Sequence, residues 1–181
     1  MASSLSAGTT LSGKNSQEIL DSITHRVGVV LEVRNHTKYP MVQPITFVDA
    51  GKIQLQAGDI QAGTREVMSM HKTDHTATGS CGVVSWKLDG LGKRIVLMWS
   101  APYSFDFHAN WLAIGTMEDQ YANLISPQTF NEMYKGTESW FRRKEFYKDV
   151  NPLVFSTEDL EITLTMGQTH KALITLDVKS K

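Results

Sequence analysis

The feature that most constrains the fold is a period-two alternation of side chains that begins after Arg26. Val27, Val29, Leu31 and Val33 are separated by single residues, and this pattern predicts a half-buried β-strand because successive strand side chains point to opposite faces. Many short strands at regular spacing are typical of an antiparallel sandwich or barrel, and the last two predict a hairpin. The further strand candidates, separated by turn signals such as Asp-Gly and Gly-Asp, are residues 41–48, 52–56, 65–71, 82–88, 94–101, 111–117, 160–166 and 172–178.

The N-terminal region has a different character from the strands. Residues 1–14 are rich in Ser, Gly and Thr, so they predict a mobile arm that buries little. After it, Asn15 and Glu18 have the spacing of a capping box, which marks the start of a helix. This amphipathic helix is predicted over residues 15–25, and its apolar face carries Ile19, Leu20 and Ile23.

A second short helix is predicted over residues 126–135. Ser126 suits its N-cap and Pro127 suits its first turn. A chain of 181 residues is long enough for one domain with its own core. We therefore predict a mainly β fold, an antiparallel β-sandwich flanked by two short α-helices, with residues 1–14 as the arm and residues 15–181 as a single domain.

Composition excludes several classes of function. The charges are balanced, with 18 Lys and Arg against 19 Asp and Glu, so nothing draws the whole surface to nucleic acid. Cys81 stands alone, which excludes an internal disulfide and a cysteine-based zinc site. His71 and His75 have a metal-like spacing, but between two strands that spacing does not bring side chains together. With no catalytic constellation, metal site or cofactor motif, we predict that the chain is not an enzyme.

The sequence also lacks the marks of membrane insertion during synthesis. No apolar run reaches the roughly 20 residues that span a bilayer. The start of the chain has neither the basic residues nor the apolar stretch of a signal peptide. We therefore expect a soluble protein, whose export would need a leader already removed or an unconventional route.

Aromatic residues are concentrated in one part of the chain. Of 16 Phe, Trp and Tyr side chains, 12 lie between residues 99 and 147. In the segment 103–111 the rings alternate with small or polar residues, which is typical of a loop. Some of these rings must face the interior, but rings left at the surface suit a membrane interface. The predicted docking rings are Tyr103, Phe105, Phe107 and Trp111.

A second cluster, residues 140–148, interleaves four aromatic with four basic side chains. Basic charge attracts anionic headgroups while rings enter the interface. The same pattern would also stack single-stranded nucleic acid, and a solvated loop stays open as an explanation for the charges. The rest of the sequence shows no basic groove, which favours the membrane, so we expect no nucleic-acid partner.

Residues 100–111, SAPYSFDFHANW, resemble the Ser-x-Pro-Tyr-x-Tyr/Phe-x-x-x-x-Asn-Trp signature of actinoporins and actinoporin-like proteins. Residues 130–134 resemble their aromatic second helix, and residues 72–83 resemble a glycine-containing segment that leads into a strand. The similarity covers about residues 15–180. It implies a β-sandwich that docks on sphingomyelin-containing membranes. The N-terminal helix then inserts, with residues 3–14 recruited to it, and several protomers line a cation-conducting pore.

The resemblance also implies a site for a lipid headgroup. Ser100, Pro102 and Tyr134 match the family pattern, whereas His108 and Lys135 replace tyrosines. A quaternary ammonium is held by ring faces, so these replacements favour a headgroup or glycan with phosphate or other anionic groups. The implied headgroup-binding residues are Ser100, Pro102, His108, Phe130, Tyr134, Lys135, Ala50 and Cys81.

Two functions stay open at this point. The first is a secreted pore-forming cytolysin whose partners are membrane lipids, sphingomyelin or another phospholipid, and further copies of itself. The second is a non-lytic module on the same fold that binds lipid headgroups or glycans. The second is kept because an 11-residue helix is only about 16 Å long, roughly half the hydrocarbon thickness.

Overall fold

The computed structural model describes residues 4–181, so the first three residues of the predicted arm lie outside the described residues. Two β-sheets pack together with short helices against them, which confirms the predicted mainly β sandwich. The strands are β1 (Ser6–Ala7), β2 (Gly28–Asn35), β3 (Met41–Ala50), β4 (Lys52–Leu55), β5 (Thr64–His71), β6 (Ser80–Leu88), β7 (Lys93–Ala101), β8 (Asn110–Glu118), β9 (Phe141–Phe146), β10 (Leu153–Ser156), β11 (Leu160–Met166) and β12 (Lys171–Ser180). The α-helices are α1 (Ser16–Asp21) and α2 (Pro127–Lys135), and 3-10 turns cover Thr9–Leu11 and Asp119–Leu124.

The two sheets differ in size and in strand direction. Sheet A has seven strands in the order β1-β5-β2-β12-β11-β10, with β4 also paired to β5, and sheet B has five in the order β3-β6-β7-β8-β9. The predicted hairpin of β11 and β12 is confirmed by their antiparallel pairing. Two pairs within sheet A are parallel, β1 with β5 and β2 with β12. The sandwich is therefore antiparallel except where β1 joins β5 and where β12 joins β2.

Strand β2 is buried on both of its faces. Val29, Leu31 and Val33 point into the core between the sheets, as the alternation predicted. Val30, on the opposite face, is buried in a cluster with Leu11. The prediction of a half-buried strand is therefore wrong, because the segment that precedes β2 in the sequence covers the outer face of sheet A.

That segment, residues 4–23, is called here the N-terminal cover. Its strand β1 lies parallel to β5, and the N–H groups of Ser6 and Gly8 donate to the carbonyls of Gly63 and Arg65 at 3.1 and 2.9 Å. Leu11 is completely buried. Residues 1–14 were predicted to form a mobile arm that buries little, but residues 4–11 lie against sheet A.

The Glu66 carboxylate fastens the middle of the N-terminal cover. Its two oxygens accept hydrogen bonds from the backbone N–H groups of Thr9 and Thr10 at 3.0 and 2.8 Å. The Thr10 hydroxyl also donates to Glu66 and accepts from the Val67 N–H at 2.7 Å. Hydrogen bonds to an ionised acceptor are stronger than neutral ones. Glu66 of β5 thus accepts hydrogen bonds from the N–H groups at the start of the 3-10 turn and holds this turn against the sheet.

Helix α1 is shorter than predicted. The capping box is present, since the Asn15 side chain accepts from the Glu18 N–H at 2.9 Å and Glu18 accepts from the Asn15 N–H at 2.7 Å. The helix ends at Asp21 rather than at residue 25. The Ser22 hydroxyl bonds back to the carbonyl three residues earlier at 2.6 Å, and the β-branched Ile23 that follows favours extended backbone. Ile23 is still buried, as are the other two residues of the predicted apolar face.

Helix α2 agrees with its predicted bounds, but strands β9 and β10, which follow it, were not predicted. Strand β9 is the edge of sheet B and lies inside the cluster 140–148. Its central residues Arg142, Arg143 and Lys144 hide the alternation of apolar side chains. Charged side chains on edge strands are common because they prevent pairing with other chains. Residues 141–146 of this cluster therefore form a strand, while Trp140, Tyr147 and Lys148 flank it.

Leu11→Ala should lower the free energy of unfolding by about 2–4 kcal/mol, because a fully buried leucine leaves a cavity when it is truncated. Urea denaturation followed by circular dichroism measures this change. The exposed Lys14→Ala variant is the matched control and should change stability by less than about 0.5 kcal/mol. An unchanged midpoint for Leu11→Ala would mean that this segment is the mobile arm of the first expectation.

Candidate functional site

One row of paired residues crosses sheet B near the end that carries the loop 102–109. Cys81 is paired with Ala50 on one side and with Ser100 on the other. Ser100 is paired with Trp111, and Trp111 with Glu145. Directly paired residues share a face of the sheet, and Cys81 and Trp111 pack with the cluster under α2. The structure thus brings four predicted site residues together on the outer face of sheet B.

Helix α2 lies over this same outer face. Phe130 and Met133 are buried in its contact with the sheet. The Phe130 and Tyr134 rings are stacked with centroids 5.6 Å apart, as four-residue spacing on a helix allows. Tyr134 is half-buried and Lys135 is exposed. Phe130 therefore supports the helix, while Tyr134 and Lys135 reach the surface at its C-terminal end.

Arg143 of β9 connects α2 to the row. Its guanidinium lies 4.0 Å from the centroid of the Trp111 ring, and it donates a hydrogen bond to the backbone carbonyl of Tyr134. Its Nε atom is buried and has no hydrogen-bond partner among the described residues. A guanidinium with a spare N–H is suited to an oxygen of a phosphate group. Sequence patterns missed this residue, because its approach to Trp111 depends on the pairing of β8 with β9.

The loop 102–109 presents its predicted docking rings unequally. Tyr103 is covered by the Arg26 guanidinium, 4.7 Å from the ring centroid. Phe105 is stacked on the His170 ring at 4.2 Å. Phe107, by contrast, is 83% exposed. It is the docking candidate whose ring faces solvent.

The start of this loop is fixed by the close approach of residues 72–79. A Cβ atom on Gly79 would lie 1.9 Å from the carbonyl oxygen of Ala101, so a glycine is needed for this packing. Pro102 lies at the same contact and is half-buried, whereas His108 is exposed. Pro102 therefore belongs to the frame of the loop and His108 to its surface.

The two histidines with metal-like spacing have other surroundings. The His71 ring is stacked on His25 with centroids 3.7 Å apart, and His75 is exposed. Within residues 4–181, no group of three or more His, Cys, Asp or Glu side chains is arranged to hold a metal ion. None of the helices in that range is long and apolar enough to cross a bilayer.

The Cys81 thiol is held in its protonated form. Burial, with help from the Asp49 carboxylate, raises the pKa of Cys81 to about 12. The Cys81 Sγ atom lies 3.7 Å from the Asp49 Oδ2 atom. The thiolate is the nucleophilic form of cysteine. Cys81 is therefore a small side chain within the row and not a reactive group.

Comparisons with known proteins were made by sequence and by structure. No family model matches the chain. Tereporin-Ca1 of Terebra anilis is 36% identical over 98% of this chain and 94% of its own length. Tereporin-Ts1 of Terebra subulata is 33% identical over 93% of this chain and 84% of its own length. A crystal structure of the lipid binding protein Nakanori has the same fold, with a TM-score of 0.73 at 15% identity over 92% of this chain and 77% of that one.

The fold and the row of residues across sheet B define a β-sandwich protein of two packed sheets. The sequence relatives identify the family of the protein. The chain belongs to the actinoporin-like family. The family resemblance that residues 100–111 indicated is confirmed, and so is the prediction that the chain is not an enzyme.

Cys81 should react slowly with a disulfide reagent at pH 8. A pKa of about 12 instead of 9.0 lowers the thiolate fraction roughly a thousandfold. The rate of aryl thiolate release from a chromogenic disulfide, compared between folded and urea-unfolded protein, measures this difference. Asp49→Asn should speed the reaction because it removes a negative charge, and the exposed Asp89→Asn should not. Equal rates for folded and unfolded protein would contradict this description of the row.

Proposed function

We propose that this protein is a membrane-binding cytolysin that docks through the end of sheet B that carries the loop 102–109. The observation that carries the proposal is Phe107, a phenylalanine that is 83% exposed. Phe107 is the most exposed of the large apolar side chains in residues 4–181, and apolar aromatic rings enter the membrane interface. The names of the relatives, which include tereporins and echotoxin-2, support the same class of function.

The proposed ligand at this end is a phospholipid headgroup recognised by its phosphate. Arg143 supplies a half-buried guanidinium group beside Trp111, and Ser100 lies in the same row as Trp111. The exposed Lys135 and His108 add donors to this surface. The Arg143 guanidinium already covers the Trp111 ring, which leaves that ring face closed to a quaternary ammonium. Sphingomyelin is one lipid with the required phosphate.

In the second step, residues 4–25 leave sheet A and enter the bilayer as a helix. A continuous helix of that length is about 33 Å long, close to the roughly 30 Å of the hydrocarbon core. At rest, α1 has only 6 residues, so most of the segment must refold. The hydrogen bonds of Glu66 to Thr9 and Thr10 must break, as must that of the Ser16 hydroxyl to Glu32.

The groove between the N-terminal cover and sheet A is lined by charged side chains. Burial acts to raise the pKa of Glu32, but the Ser16 hydroxyl and the guanidinium groups of Arg34 and Arg65 outweigh it and lower the pKa below its usual value. Asp177 lies in the same groove. A charged strip that can be hydrated reduces the cost of removing the cover, which would otherwise expose only apolar side chains.

Several inserted segments would line a pore in a homo-oligomer on the membrane. The segment contains many Ser, Thr and Gly residues, which suit a water-filled wall and not a lipid-facing one. Glu18 and Asp21 place acidic groups on it, and rings of acidic side chains favour cations. We accordingly propose a cation-conducting pore, formed by a secreted protein at the membrane of a target cell.

A non-lytic binding module is the second candidate. It is favoured by the firm attachment of the N-terminal cover, whose Leu11 is fully buried and whose 3-10 turn is bound by Glu66. In this case the protein binds a headgroup or a glycan through the same end of sheet B, and the cover stays in place. Binding without membrane leakage distinguishes this candidate from the first.

Phe107→Ala should weaken binding to phospholipid vesicles by about 1–3 kcal/mol, because its ring no longer leaves water on docking. Vesicle sedimentation measures the change. Tyr121→Ala is the matched control, since Tyr121 is 46% exposed but follows the far end of β8, about 30 Å along the strand. Docking would use the opposite end of the sheet if Tyr121→Ala bound weakly and Phe107→Ala bound normally.

A disulfide between the N-terminal cover and sheet A should abolish dye release and preserve vesicle binding. Ser6 and Thr64 are paired on β1 and β5, so Ser6→Cys with Thr64→Cys, in a Cys81→Ser background, provides the link. The matched control, Glu161→Cys with Lys179→Cys, links the paired strands β11 and β12 and should release dye normally. Reductant should restore release by the first variant. Equal release before and after reduction would show that the cover does not need to leave.

A further inference from the structure

A cavity of about 500 Å³ lies at the end of sheet B that is remote from the loop 102–109. It is bounded by the end of β8, the 3-10 turn Asp119–Leu124 and the first turns of α2. No residue of the proposed docking surface lines it. Its lining includes two rings, two carboxylates and one leucine, namely Tyr121, Trp140, Glu118, Glu132 and Leu124.

One wall of the cavity is held by a close approach to β8. A Cβ atom on Gly115 would lie 2.7 Å from Cε3 of Trp140, so the glycine lets the indole lie directly on the strand. The Trp140 ring also meets Phe141 edge-on, with centroids 5.0 Å apart. These two contacts fix the indole as a wall of the cavity.

The opposite wall is tied to α2 by hydrogen bonds. The Thr129 hydroxyl donates to the carbonyl of Leu124 and accepts from the Ser126 N–H at 3.1 Å. The Gln128 side chain donates to the Glu132 carboxylate at 3.2 Å. The 3-10 turn and the helix are therefore joined, and one of the two carboxylates has a defined position.

The cavity lining is negatively charged, and Lys93, the cross-strand neighbour of Glu118, forms its ion pair with Asp159 at 2.9 Å. Across residues 4–181, neither Glu118 nor Glu132 forms an ion pair, whereas the adjacent Asp119 pairs with Lys87 and Arg94, each at 3.2 Å. The lining, all of it within the described chain, contains no Lys, Arg or His. Ring faces and carboxylates both attract cations. An apolar cation satisfies both kinds of wall, whereas a phosphate-bearing ligand is repelled.

We propose that this cavity is a second binding site, specific for a small organic cation with an alkylated ammonium group. Such a group has a diffuse positive charge and an apolar surface, which match the two rings and the two carboxylates of the lining. The cavity volume is in the range of small-molecule sites. The length of β8 separates this site from the docking loop, and no docking residue lines it. We therefore expect the cation to bind to the protein in the absence of membranes.

Choline and its uncharged isostere 3,3-dimethylbutan-1-ol are the probes, since they share a shape and differ in charge. Each is titrated into the full-length protein without lipid, and the indole N–H signals are followed by NMR. Choline should shift the Trp140 signal with a Kd at least tenfold lower than that of the alcohol. Trp140→Leu and Glu132→Gln should each weaken choline binding at least fivefold. Glu138→Gln, an exposed carboxylate outside the cavity, should leave it unchanged.

Three results would overturn the proposal. Equal Kd values for the two probes would make this an apolar pocket without preference for cations. A choline-induced shift confined to the Trp111 indole would place binding at the docking end of sheet B. An unchanged Kd in both Trp140→Leu and Glu132→Gln would separate binding from the cavity. Since no vesicle enters this experiment, its failure leaves the proposed membrane function standing, and the reverse also holds.

Discussion

Each sheet of this sandwich has apolar side chains on its outer face as well as in the core, and each outer face must therefore be covered. Helix α2 covers sheet B with Phe130 and Met133. The N-terminal cover does the same for sheet A, with Leu11 at its centre. The two covers differ in how the chain holds them. Helix α2 lies between β8 and β9 of sheet B, whereas the N-terminal cover, which includes β1, precedes β2 and packs on the outer face of sheet A.

We propose two steps at the membrane, docking and insertion, and each step uses a different sheet. Docking uses sheet B, where Phe107 faces solvent and Arg143 lies over Trp111. Insertion uses the cover of sheet A, where the Glu66 carboxylate holds the backbone of Thr9 and Thr10. The two surfaces belong to different sheets. A change that weakens docking therefore need not weaken the attachment of the cover.

Sequence patterns predicted most of what depends on neighbouring residues and little of what depends on pairing across the fold. The alternation gave the strands that form the core, and the Asn15 capping box is present where it was predicted. The outer burial of β2 was missed because it depends on Leu11, which lies in the segment that was predicted to be a mobile arm. Strand β9 was missed because its charges mask the alternation. Arg143 was not identified as a site residue because only strand pairing brings it to Trp111.

The most direct test of the proposed function measures binding and leakage on the same vesicles. Dye-loaded vesicles with and without sphingomyelin are incubated with the wild-type protein, the released dye is read, and the vesicles are then sedimented to measure bound protein. We predict that the protein sediments with phospholipid vesicles and releases their dye, and a requirement for sphingomyelin would identify that lipid as the receptor. Binding without release would contradict the cytolysin and establish the non-lytic module, and the absence of binding would contradict membrane docking itself.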